Sequence, residues 1–96
     1  MNSSADDVIR SVADAVEQRA LARGTHVPAL GSVRSMVDSD ESEMAVDYLV
    51  NTVNSYRLTL GQDEYDRLMW AADKLGSADD VTDIDPQLLV PAADEA

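Results

Sequence analysis

Apolar residues recur along the first quarter of the chain at three- and four-residue steps, as Ile9, Val12, Ala13, Val16 and Ala20. That spacing marks one face of an α-helix and predicts one from about Ala5 to Arg23. Ser4 is placed to cap its start, Asp6 and Asp7 to oppose the positive end of the helix dipole, and Gly24 to close it in a left-handed conformation. After Thr25-His26-Val27, Pro28 suits the first turn of a shorter second helix reaching about Val37. Its apolar positions are Leu30, Val33, Met36 and Val37, and Gly31 in its interior costs about 1 kcal/mol of helix propensity relative to alanine.

A third helix is predicted from about Asp40 to Tyr56. At about 100° per residue, Ala45, Val46, Tyr48, Leu49, Val53 and Tyr56 share a broad apolar face, with Asp40, Glu43, Asp47, Asn51 and Asn54 on the opposite stripe. A fourth helix follows from about Gln62 to Leu75 along Tyr65, Leu68, Met69, Ala72 and Leu75, closed by Gly76. From Ser77 onward the chain is acidic at both ends but apolar at its centre. Ile84, Leu88, Leu89 and Val90 are expected to fold back over the helices, with Pro86 opening a short helical turn and Pro91 to Ala96 frayed. No strand-like alternation or internal repeat stands out. The predicted fold class is all-α, a small four-helix bundle over residues 1–76 with an acidic C-terminal tail, residues 77–96, partly packed on it.

Composition narrows the partners. The 96 residues carry nineteen acidic and seven basic side chains, a net charge of −12. The length allows one domain. The charge opposes direct binding to nucleic acid or to an anionic membrane and favours a basic protein. Without cysteine, neither a disulfide nor a thiolate metal site can form. The N-terminus lacks the basic start and apolar run of a signal peptide, and no apolar stretch approaches the roughly 20 residues that span a bilayer, so a cytoplasmic location is expected.

Catalytic chemistry has few candidates. His26 is the only imidazole and stands in a Pro-containing connection without a neighbouring nucleophile motif. Asp38, Asp40 and Ser42 alternate like the start of a calcium loop, but Glu43 falls where that loop needs glycine and Leu49 where it needs a bidentate glutamate. A non-enzymatic protein with no cofactor and no metal is expected. Met36, Met44 and Met69 read as core packing. Trp70 differs, because it lies off the apolar stripe of its helix among Asp63, Asp66, Arg67, Asp73 and Lys74. Either the tail or the first helix covers it, or it is an exposed anchor for a partner.

The third and fourth helices also carry a recognisable pattern: Asp40-Glu-Ser-Glu-Met-Ala45-Val-Asp-Tyr-Leu49, then Leu58-Thr-Leu60-Gly-Gln-Asp-Glu64-Tyr65-Asp-Arg-Leu68, then Ala71-Ala-Asp-Lys-Leu75-Gly76. This resembles the small MafI-like immunity proteins of bacterial polymorphic toxin systems. In that family an acidic residue and an Ala-x-x-x-Leu step open one helix, and a Glu-Tyr pair opens the next, which closes on Leu-Gly. Gly61, where a serine or threonine cap is more usual, and the long acidic tail depart from it. The resemblance implies a protein that binds a cognate toxin domain and occludes its active site or substrate groove. It transfers no binding residue. A toxin acting on nucleic acid, such as a nuclease, would present a basic cleft to an acidic inhibitor. On charge and exposure, the contact residues are expected to be Asp40, Glu43, Asp47 and Asn51 on the third helix, and Asp63, Asp66, Trp70 and Asp73 on the fourth. The alternative is an acidic regulatory protein, a mimic of nucleic-acid charge that binds a basic cellular factor.

Overall fold

The periodic segments fold as helices, and the four long ones end in the same way. A computed structural model describes the backbone of residues 3–91 and the side chains from Ala5 to Pro91. The expected Ser4 cap and the expected fraying after Pro91 lie outside the described side chains and residues. Helix α1 spans Ser3–Ala22, α2 Ala29–Asp38, α3 Ser42–Tyr56 and α4 Gln62–Lys74. Beyond each, one backbone amide reaches back five residues: Thr25 N–H donates to Ala20 O at 2.9 Å, Glu41 to Met36 at 2.8 Å, Leu58 to Val53 at 3.0 Å and Ser77 to Ala72 at 2.8 Å. These are Schellman closures, which satisfy carbonyls that a helix end leaves bare and which need a left-handed residue just before the donor. Gly24 and Gly76 supply it at φ +80° and +76°, and Asp40 and Arg57 at +65° and +54°.

The third helix therefore starts later than the sequence predicts. Asp40 is the left-handed residue that closes α2, a conformation aspartate tolerates better than most side chains, and α3 begins at Ser42.

In the core, α1 packs on α2 and α4, and α2 on α3. Ile9, Val12, Ala13, Val16 and Ala20 of α1 are all buried, as are Leu30, Val33 and Val37 of α2, Ala45, Val46, Leu49 and Val53 of α3, and Leu68 and Ala72 of α4. Met36, Tyr65, Met69 and Leu75 are partly buried against this core. Three expected core residues are not in it: Met44 is 57% exposed, Tyr48 37% and Tyr56 50%. The cause is the arc that α3 buries. Val50 and Thr52 are buried beside Leu49 and Val53, which leaves Tyr48 about 120° and Met44 about 160° from the arc's centre. Tyr56 is the last residue of its helix, just before Arg57 turns the chain away.

The tail belongs to the same core. A short helix α5, Ala78–Val81, packs on α3 and α4 and is followed by a 3₁₀ turn at Pro86–Leu88. Val81, Ile84 and Leu88 are buried with the bundle residues. Strand β2, Leu89–Val90, runs parallel to β1, Leu60–Gly61, with Leu60 opposite Leu89 and Gly61 opposite Val90.

Asn54 fastens the tail. Its Nδ2 donates to Asp83 O at 3.0 Å, and its Oδ1 accepts from Asp85 N–H at 2.9 Å. Asn54 is thus a clamp rather than part of a solvated stripe. Asp85 in turn accepts from Gln87 N–H at 2.9 Å and from Arg57 Nη1 at 2.7 Å. These two bonds, the Gln87 amide first, hold its carboxyl below the ordinary carboxylate pKa. The latch contributes fully above the unfolded-state pKa of about 3.9 and is lost as pH falls through the lowered folded value. Acid titration followed by tail proton resonances should show late protonation of Asp85. Asp85→Asn should loosen the tail at neutral pH and remove its part of the acid loss; an unchanged acid limb would contradict the latch.

A second polar cluster joins α1 to the start of α4. Glu64 is 5% exposed, and its Oε2 accepts from Arg19 Nη2 at 2.7 Å while its Oε1 accepts from Gly61 N–H at 2.9 Å. Arg19 Nη1 also donates to Thr59 O at 2.9 Å. Glu64 at the third helical position therefore supplies the half of a capping box that satisfies the N-cap amide, the half that needs no side chain at Gly61.

Candidate partner-binding surface

The outward surface of α3 follows from what its inward surface buries. With Ser42, Ala45, Val46, Leu49, Val50, Thr52 and Val53 turned inward, Glu43, Met44, Asp47, Tyr48, Asn51 and Ser55 are left in solvent. From Asp38 to Tyr56 the chain has five acidic residues and no basic one. Asn51 Nδ2 donates to Asp47 Oδ2 at 3.5 Å, a long bond along the same face.

Elsewhere four of the seven basic side chains are engaged in internal ion pairs. Arg10 pairs with Asp38 and Asp7, Arg34 with Asp14 and Glu17, Arg19 with Glu64, and Arg57 with Asp85. Among the described residues no ion pair reaches Asp40, Glu41, Glu43 or Asp47. An acidic run without a cationic partner therefore crosses the α2–α3 turn and α3, while Arg67 and Lys74 stand exposed on α4.

The structure brings Asp40 and Glu43 to one cleft of about 410 Å³, where Asp6, Glu41, Ser42, Met44 and Leu75 complete the wall. Ser42 Oγ donates to Asp6 Oδ1 at 2.5 Å and ties the start of α3 to the first turn of α1. Asp47 and Asn51 continue the exposed face along α3. Among the described residues no group of three or more His, Cys, Asp or Glu side chains is placed to hold a metal ion. His26 is exposed in the α1–α2 connection.

The expected residues of α4 form a different patch. Asp63, Asp66, Trp70 and Asp73 are all exposed, but they share their face with Arg67 and Lys74, and none of them lines the cleft. Trp70 is 46% exposed, with Lys74 Nζ 5.3 Å from its ring centroid. Leu89 and Val90 of the tail pair instead with Leu60 and Gly61, before α4 begins. The helix of Trp70 itself supplies a cation over the ring.

Met44 and Tyr48 were the surface residues that sequence periodicity assigned inward. The signal that could have placed Tyr48 outward is Val50, whose burial extends the apolar arc on the side of α3 about 160° away from it. The motif residues Ala45, Leu49, Leu58, Leu60, Glu64 and Leu68 are all buried, so the recognisable pattern holds the fold and leaves the surface unspecified. No helix among the described residues is long and apolar enough to cross a membrane. No family model, curated protein or solved structure matches this chain.

Proposed function

We propose that this chain is an immunity protein that binds and neutralises a cognate toxin domain in the cytoplasm of the cell that makes both, by covering the toxin's active site or substrate groove. The observation that supports it is an acidic run: the α2–α3 turn and α3 present acids without a cation to neutralise them. A domain that must hold a phosphate backbone is basic around its cleft, and an acidic partner is steered into such a cleft and competes with the polyanion there. The likeness of Asp40 to Gly76 to MafI-like immunity proteins points the same way.

The test is protection in cells. Co-expression with the protein encoded beside this chain's gene should restore growth of a host that the neighbour alone kills. Reversing Asp40, Glu43 and Asp47 together to lysine should slow association about tenfold or more at low salt and weaken protection. Growth arrest despite co-expression, with a housekeeping protein recovered as the stable partner, would favour an acidic regulator that mimics nucleic-acid charge.

A further inference from the structure

We infer that the docking surface is the outward face of α3, with Met44 and Tyr48 as its apolar part beside an acidic edge of Glu43 and Asp47, and that Trp70 lies outside it. The occupant it fits is a protein that sets lysine and arginine side chains around a shallow apolar depression. The inference rests on the binding role proposed above and names the surface of that role.

Met44 and Tyr48 are one helical turn apart and both exposed, while Ala45, Val46, Leu49 and Val53 of the same helix are fully buried. Met44 also lines the cleft beside Leu75, and Tyr48 keeps 37% of its surface exposed, so the two offer apolar area on an otherwise polar face. Tyrosine and methionine are enriched in the desolvated centres of interfaces, tyrosine because it offers a large rigid area with a polar end and methionine because it adapts to an irregular surface. Charge selects the occupant. Glu43 and Asp47 lie along the Met44 side of the pair without a cationic partner among the described residues, so a basic surface gains attraction on approach and neutralises groups that nothing internal neutralises. A second copy of the chain would bring like charges together.

The α4 face offers the opposite balance. Trp70 is the larger aromatic, but Lys74 already occupies its ring face and Arg67 stands beside it, one turn before. An incoming basic protein would meet two cations there. Binding centred on Trp70 would also have to displace an existing cation–π contact.

The experiment is an affinity comparison with the protein encoded beside this chain's gene, made without catalytic activity. The Met44→Ala/Tyr48→Ala double variant should bind at least about 30-fold more weakly, mainly through faster dissociation, whereas Trp70→Ala should lose less than about threefold. The substituted side chains are exposed, so circular dichroism should report the wild-type fold. Wild-type affinity in the double variant, or a larger loss for Trp70→Ala, overturns the surface. If the wild-type chain does not bind its neighbour at all, the immunity role fails, and a 20-residue polylysine peptide then reads the surface by NMR. Amide shifts centred on Glu43 to Asn51 support it, and shifts centred on Asp63 to Asp73 overturn it.

Discussion

Truncation after Gly76 should leave a chain that no longer folds cooperatively. The acidic composition of residues 77–96 disguises their energetic weight, because Val81, Ile84 and Leu88 are buried in the same core as α1–α4. Burying each such side chain is worth about 1.5–3 kcal/mol. Their joint loss approaches the total stability of about 5–15 kcal/mol that a domain of this size holds. Removal would also strip the polar partners from Asn54 and Arg57 and leave β1 without its pair. Circular dichroism and thermal melting of the 1–76 chain are the measurement. A sharp transition within a few degrees of the full-length protein would show that the four long helices form an independent domain.

Replacing Glu64 with alanine should cost about 3 kcal/mol and lower the melting temperature by more than 10 °C. Desolvation, more than the worth of one ion pair, sets this cost. The glutamate is 5% exposed, and its loss removes a carboxylate 2.7 Å from the Arg19 guanidinium, which is itself at 25% side-chain exposure. It also leaves the Gly61 amide without an acceptor. Glu64→Gln separates the two contributions, since it keeps an acceptor for Gly61 but removes the charge. It should recover part of the loss. A melting temperature unchanged by Glu64→Ala would mean that water replaces the carboxylate and that the cluster is less closed than its geometry indicates.

The helices were legible in the sequence because their cores are periodic and two of their ends are glycine. Ile9 to Ala20 in α1 and Leu30 to Val37 in α2 needed only the three- and four-residue rhythm. Gly24 and Gly76 announced two left-handed closures, whereas Asp40 and Arg57 make the same closure without a glycine to mark it, which is why α3 seemed to begin at Asp40. The β1–β2 bridge left no trace because two residues per strand are too few to alternate. Asn54 looked solvated because its partners, Asp83 and Asp85, lie about thirty positions away and nothing local signals them.

The candidate surface was legible in its charge but not in its apolar part. Glu43, Asp47 and Asn51 stand outward as their spacing implies. Met44 and Tyr48 stand outward against theirs, since an apolar residue at the border of a broad face is assigned by tertiary packing, here with Val50 buried on the side away from Tyr48. Trp70 was visible as an anomaly on α4, and only the structure supplied Lys74 as the reason it can remain in solvent.

The central claim is that an unneutralised acidic face on α3 recruits a basic protein partner. Its most direct test is the association rate constant with the protein encoded beside this gene, measured on the wild-type chain between about 20 and 200 mM salt, a range over which the screening length shortens to near or below the reach of the face. The account predicts a rate that falls at least about tenfold across that range, with dissociation changing far less. A rate independent of salt, or no association, would contradict it.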